Sequence, residues 1–83
     1  SWNFTIEQAI EEIYEIYIKT GKMPNTQSQE RFSNGTLIGT WIKRKINQAK
    51  IKELSQQGNE KAEIIVKELS WNFTIEQAIE EIY

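Results

Sequence analysis

Half of the ten bases in this 83-residue chain fall within ten positions: Lys43, Arg44, Lys45, Lys50 and Lys52. Ammonium and guanidinium groups at that density suit phosphate oxygens. Asn47 and Gln48 lie among them, and their amides can pair with base edges. At helical spacing Lys43, Asn47 and Lys50 share one stripe, with Arg44 and Gln48 beside it. Arg31 extends the set from upstream. The chemistry these residues predict is nucleic-acid contact through Arg31, Lys43, Arg44, Lys45, Asn47, Lys50 and Lys52. The competing reading is a solvated helix face.

Other chemistries have little to stand on. The chain has no Cys and no His, so it offers no disulfide framework, no thiolate or imidazole metal site and no imidazole catalysis. Glu11-Glu12 and Glu80-Glu81 sit on polar helix faces beside no base or metal ligand. No Gly-rich loop ends in Lys-Ser/Thr, so no phosphate cradle of the motor type is present. The expectation is a non-enzyme without cofactor or metal. Trp2, Trp41 and Trp71 have faces on which unpaired bases can stack. Trp41 falls on an apolar stripe, however, and Trp2 precedes a capped helix, so packing is the expected role of these rings.

The elements that must carry the bases read as helices. Thr5 and Gln8 have the spacing of a capping box, and Phe4 and Ala9 that of a hydrophobic staple. The first helix is expected over residues 6–20. Ile6, Ala9, Ile10, Ile13, Tyr14, Tyr17 and Ile18 form its buried face, and Glu7, Glu11, Glu12, Glu15 and Lys19 fall elsewhere. Gly21 is its expected stop, with Pro24 just beyond. Residues 22–36 form a connector with an Asn34-Gly35 turn and, around residues 26–32, one or two helical turns. Phe32 and Met23 pin it to the core.

A second helix is expected from Thr36 or Leu37 toward Gln57, with Gly58 closing it. Leu37, Ile38, Trp41, Ile42, Ile46 and Ala49 make its inner stripe. Gly39 weakens that first turn by about 1 kcal/mol relative to Ala, which implies close approach of another backbone or ring. Ile51 lies off the stripe and implies a bend or a second contact. Asn59 caps a short third helix over residues 60–69, with Ala62, Ile65, Val66 and Leu69 inside. Three amphipathic helices with short joins predict an all-α three-helix bundle.

Residues 70–83 repeat residues 1–14, SWNFTIEQAIEEIY, without a change. Such identity predicts a periodic architecture: residues 1–69 as one complete helical repeat unit and residues 70–83 as the first helix of the next. The overall charge is −2, but the second copy carries Glu76, Glu80 and Glu81 and no base. Residues 1–69 alone hold ten bases and nine acids, so a full unit is near neutral. The second copy is expected either to stack on the unit as a cap or to enter a neighbouring chain as a domain swap. No apolar run reaches membrane-spanning length, and a cytoplasmic location is the expectation.

The stretch Leu-Ile-Gly-Thr-Trp-Ile-Lys-Arg-Lys at positions 37–45 resembles the Leu-Gly-x-Trp core of the helicase-associated domain, with Ile38 inserted between the Leu and the Gly. The order of Trp2, Gly21, Pro24, Asn34-Gly35, Gly39-x-Trp41 and Trp71 follows that family over nearly the whole unit. Lys45-Ile46 stands where the family has Gln-Arg. The resemblance implies a tandem all-helical module beside a helicase motor, binding nucleic acid, with DNA ahead of RNA. The alternative is a protein-interaction or architectural repeat, suggested by the near-neutral unit and the acidic first helix.

Overall fold

Thr5 opens the first helix in the way its side chain dictates. In the computed structural model, which describes residues 4–71, the Gln8 N–H donates to Thr5 Oγ1 at 3.1 Å and α1 runs Ile6–Thr20. The Gln8 amide does not close the box. It donates along the helix to Glu12 Oε2 at 2.9 Å. Gly21, at φ 77°, ends α1 with its N–H on the Tyr17 carbonyl. Ala9, Ile10 and Ile13 are fully buried. Phe4 packs on Phe32, ring centroids 5.0 Å apart.

The expected single second helix is two. Helix α2 covers Ile38–Lys43, Arg44 is extended at φ −71° and ψ 122°, and α3 covers Lys45–Gln56. No Pro or Gly causes this break. Burial does. In one continuous helix Ile51 would point about 180° away from Ile42, nine residues earlier. The break resets the phase, and both side chains reach the core, with exposures of 1% or less. The interruption leaves carbonyls at the end of α2 short of helical donors; the Arg44 N–H reaches the Trp41 carbonyl at 3.3 Å, and α3 supplies further donors. Asn47 Nδ2 donates to the Trp41 carbonyl at 2.9 Å, and Gln48 Nε2 to the Ile42 carbonyl at 2.8 Å.

Gly58, at φ 100°, ends α3 with paired bonds: its N–H goes to the Ser55 carbonyl and that of Asn59 to Leu54. Asn59 then caps α4, Glu60–Glu68, accepting the Ala62 N–H at 3.0 Å. The same closing motif recurs after α4. The Ser70 N–H bonds Lys67, and that of Trp71 bonds Val66. Here Ser70, not a Gly, takes the left-handed conformation at φ 55°.

All four helices surround one core of Ala9, Ile10, Ile13, Phe32, Ile38, Ile42, Ile51, Ala62 and Ile65. The class is all-α, and no strand occurs among the described residues. Helix α3 packs on α4, and α1 packs against both. Salt bridge Lys61–Glu11 (2.7 Å) and the bond from Tyr17 Oη to Glu68 (3.1 Å) show α1 and α4 running parallel. No helix among the described residues is long and apolar enough to cross a membrane. Trp2 and the second copy beyond Trp71 lie outside the described residues.

Residues 22–36 contain no helix, contrary to the expected turns around residues 26–32. Local side chains claim the backbone instead. Asn25 Oδ1 accepts from the Gln27 N–H, Ser28 Oγ from the Asn25 N–H, and Asn34 Oδ1 from the Thr36 N–H. An isolated bridge joins Arg31 to Leu37. Gly39 fits against this connector: a Cβ there would lie 2.7 Å from the carbonyl oxygens of Thr26 and Ser28.

Glu12 ties the connector to α1, accepting from the Ser33 N–H at 2.8 Å and the Ser33 hydroxyl at 2.6 Å. Partial burial raises its pKa, but the bonds from the Ser33 hydroxyl, Gln8 and the Ser33 N–H together outweigh that, and the net shift is downward. A carboxyl lowered in the fold stabilises it above the unfolded pKa, about 4.3 for Glu, and loses that contribution as pH falls through the folded value. Ser33→Ala is therefore expected to move the Glu12 titration upward, read from its carboxyl shift by NMR. An unmoved titration would show that the hydroxyl contributes nothing.

Candidate nucleic-acid interface

The break at Arg44 decides which bases stand together. Lys43 closes α2, Arg44 is the extended residue, and Lys45 opens α3, so three consecutive exposed bases occupy the elbow. Lys43 suits its place, since a cation near a helix carboxyl end is favoured. Lys45 does not suit its own. The amino end of α3 has no side-chain cap and no acid in its first turn, so its positive pole meets further positive charge. Neither Lys43 nor Arg44 forms an ion pair among the described residues. An anion at this elbow would meet Lys43, Arg44 and Lys45 and the amino end of α3, beside the carboxyl end of α2.

The other four candidates are placed elsewhere. Asn47 is only 7% exposed, and its amide is spent on the Trp41 carbonyl, so it is not a base-reading residue. Its neighbour Gln48, 6% exposed, serves Ile42 in the same way. The stripe expected for Lys43, Asn47 and Lys50 assumed one helix, and the break removes it. Lys50 stands on α3 beside Glu7 and Glu53, around a hollow that includes Ile6 and Leu54. Lys52 is half-buried, and its Nζ donates to the Trp71 carbonyl at 2.9 Å. Arg31 bonds the Gly35 carbonyl at 2.7 Å and lines a hollow with Glu12, Glu15 and Lys19 on the polar side of α1.

Two of the three aromatic candidates, Trp41 and Trp71, belong to packing. Trp41 meets Phe32 edge-on, centroids 5.3 Å apart, and Trp71 lies half-buried against the core. Gly39 and Trp41 are thus both occupied by the fold, one admitting the connector backbone and the other covering Phe32. No cluster of three or more carboxylates that could hold a metal ion occurs among the described residues. The one signal in the sequence for this arrangement was Ile51, whose phase conflicts with an unbroken helix.

Comparison with family models, with curated proteins and with solved structures gives no match.

Proposed function

We propose that this chain is one unit of an all-helical tandem array, followed by the opening of the next, and that the unit binds nucleic-acid phosphates through Lys43, Arg44 and Lys45. In this reading α1, the broken pair α2–α3 and α4 are the three arms of the bundle. One observation carries the reading. Arg44 and Lys45 stand, beside Lys43, at the uncapped positive end of α3, where a base weakens a helix by a few tenths of a kcal/mol. A bound phosphate turns that cost into attraction. The resemblance of residues 37–45 to the helicase-associated domain points the same way. With Asn47 and Gln48 both turned inward, the contact at the elbow is to backbone and largely indifferent to sequence.

One unit has few phosphate contacts, so a two-unit chain is the better test object. With about three contacts per unit, affinity for labelled single-stranded or duplex DNA is expected to fall about 20- to 40-fold per unit engaged between 50 and 200 mM salt. Charge reversal of Lys43, Arg44 and Lys45 to Glu should remove the binding and its salt dependence. Reversal of Arg31 or Lys50 should leave most of both. Retained affinity in the triple variant would exclude the elbow as the contact.

A second reading has its own observation. Ile18 is 63% exposed at the end of α1, with Tyr14 and Tyr17 half-exposed beside it. That patch suits a protein contact in an architectural array. The absence of any DNA or RNA binding at low salt by the two-unit chain would favour it.

A further inference from the structure

We propose that the groove holding α1 is also a binding site for residues 70–83 of a second copy of this chain. The occupant is specified by identity. Each group by which the start of α1 holds on has a twin. Thr5, which caps the helix, is matched by Thr74. Ala9, Ile10 and Ile13, the fully buried residues of α1, are matched by Ala78, Ile79 and Ile82. Glu11, paired with Lys61, and Glu12, which accepts both Ser33 donors, are matched by Glu80 and Glu81. A groove that accepts the first set has no means of refusing the second.

The geometry sends the second copy to another molecule. Helices α1 and α4 are parallel, and Val66 lies about level with Glu15, as the pairs Glu11–Lys61 and Tyr17–Glu68 require. Trp71 is held at that level by the Val66 carbonyl and by Lys52. Thr5 begins α1 ten residues before Glu15, about 15 Å back along the axis. Thr74 is three residues from Trp71 and spans at most about 11 Å. It cannot take the place of Thr5 in its own chain while Trp71 stays seated.

Exchange is therefore between molecules, head to tail, a contact that grows into open chains unless it closes into a ring. In the unaltered protein the tethered α1 wins, because its effective concentration is of millimolar order. Disabling α1 should expose the competition. Ile10→Asp is expected to give a chain whose Tm and mass both rise with protein concentration, between about 5 and 500 μM, in calorimetry and analytical ultracentrifugation. Ile79→Asp should stay monomeric with unaltered Tm. The double variant should lose all concentration dependence. If Ile10→Asp is unfolded or monomeric at every concentration, like the double variant, the proposal is overturned. It is equally overturned if Ile79→Asp alone destabilises the monomer, since that marks a copy stacked on its own unit.

Discussion

Gly39→Ala is expected to cost about 3 kcal/mol, near the upper end for overpacking a tight site. The added Cβ would sit 2.7 Å from two carbonyl oxygens and 2.9 Å from the Ser28 nitrogen, all of them backbone atoms. Those atoms have little freedom to retreat. The Ser28 N–H is bonded to the Asn25 carbonyl, Ser28 Oγ to the Asn25 N–H, and the Glu30 carbonyl to the N–H of Ile38 at the start of α2. For a domain of this size that loss lowers Tm by about 12–24 °C. Gly35→Ala makes a clean comparison. Gly35 has φ 88° and nothing within 4 Å of an added Cβ, so only the left-handed backbone penalty of about 1–2 kcal/mol applies. Thermal unfolding of the two variants separates the causes. Equal losses would mean that the connector yields and that close approach at Gly39 is not a constraint.

The elbow amides come next in size. Gln48→Ala removes the donor from the Ile42 carbonyl, and Asn47→Ala leaves the Trp41 carbonyl only the Arg44 N–H at 3.3 Å. A buried polar group left without its partner costs about 1–3 kcal/mol and an ordinary hydrogen bond about 0.5–1.5 kcal/mol, so the double variant should lose about 1.5–4.5 kcal/mol. The two amides brace one joint, so the double loss should differ from the sum of the singles by a measurable coupling. Denaturant titration of the cycle tests this. Single losses under about 0.5 kcal/mol would place both amides on an ordinary surface. Under the proposed function the double variant should also bind nucleic acid more weakly, although no charge has changed, because the three bases would no longer be held at a fixed joint.

Helix α1 was legible from its residues to both ends. Its cap and its glycine stop are local signals that tertiary structure did not oppose, but its apolar stripe was read a turn too long: Ile18, expected inside, is 63% exposed. The Asn59 cap of α4 was legible for the same reason. The connector was misread because Asn25, Ser28 and Asn34 compete for the backbone by side-chain bonds that a periodicity argument does not weigh. The Arg44 break was misread because nothing at Arg44 itself breaks a helix. Its cause is Ile51, seven residues on, which could be buried only by turning the chain. The candidate site inherited that error. The density of bases was plain in composition, but their grouping depended on helix phase. Once the phase was reset, Asn47 turned inward and Lys50 moved away from Lys43.

The turn after α4 has a consequence for any array built on this unit. Trp71 is fastened by its N–H to Val66 and by its carbonyl to Lys52 of α3. Two helices of the unit thus fix where Trp71 lies. Under the proposed array, a joint fixed in this way in every unit would set successive units like the treads of a spiral stair. Loosening Lys52 would change the pitch of the whole staircase while leaving every tread intact.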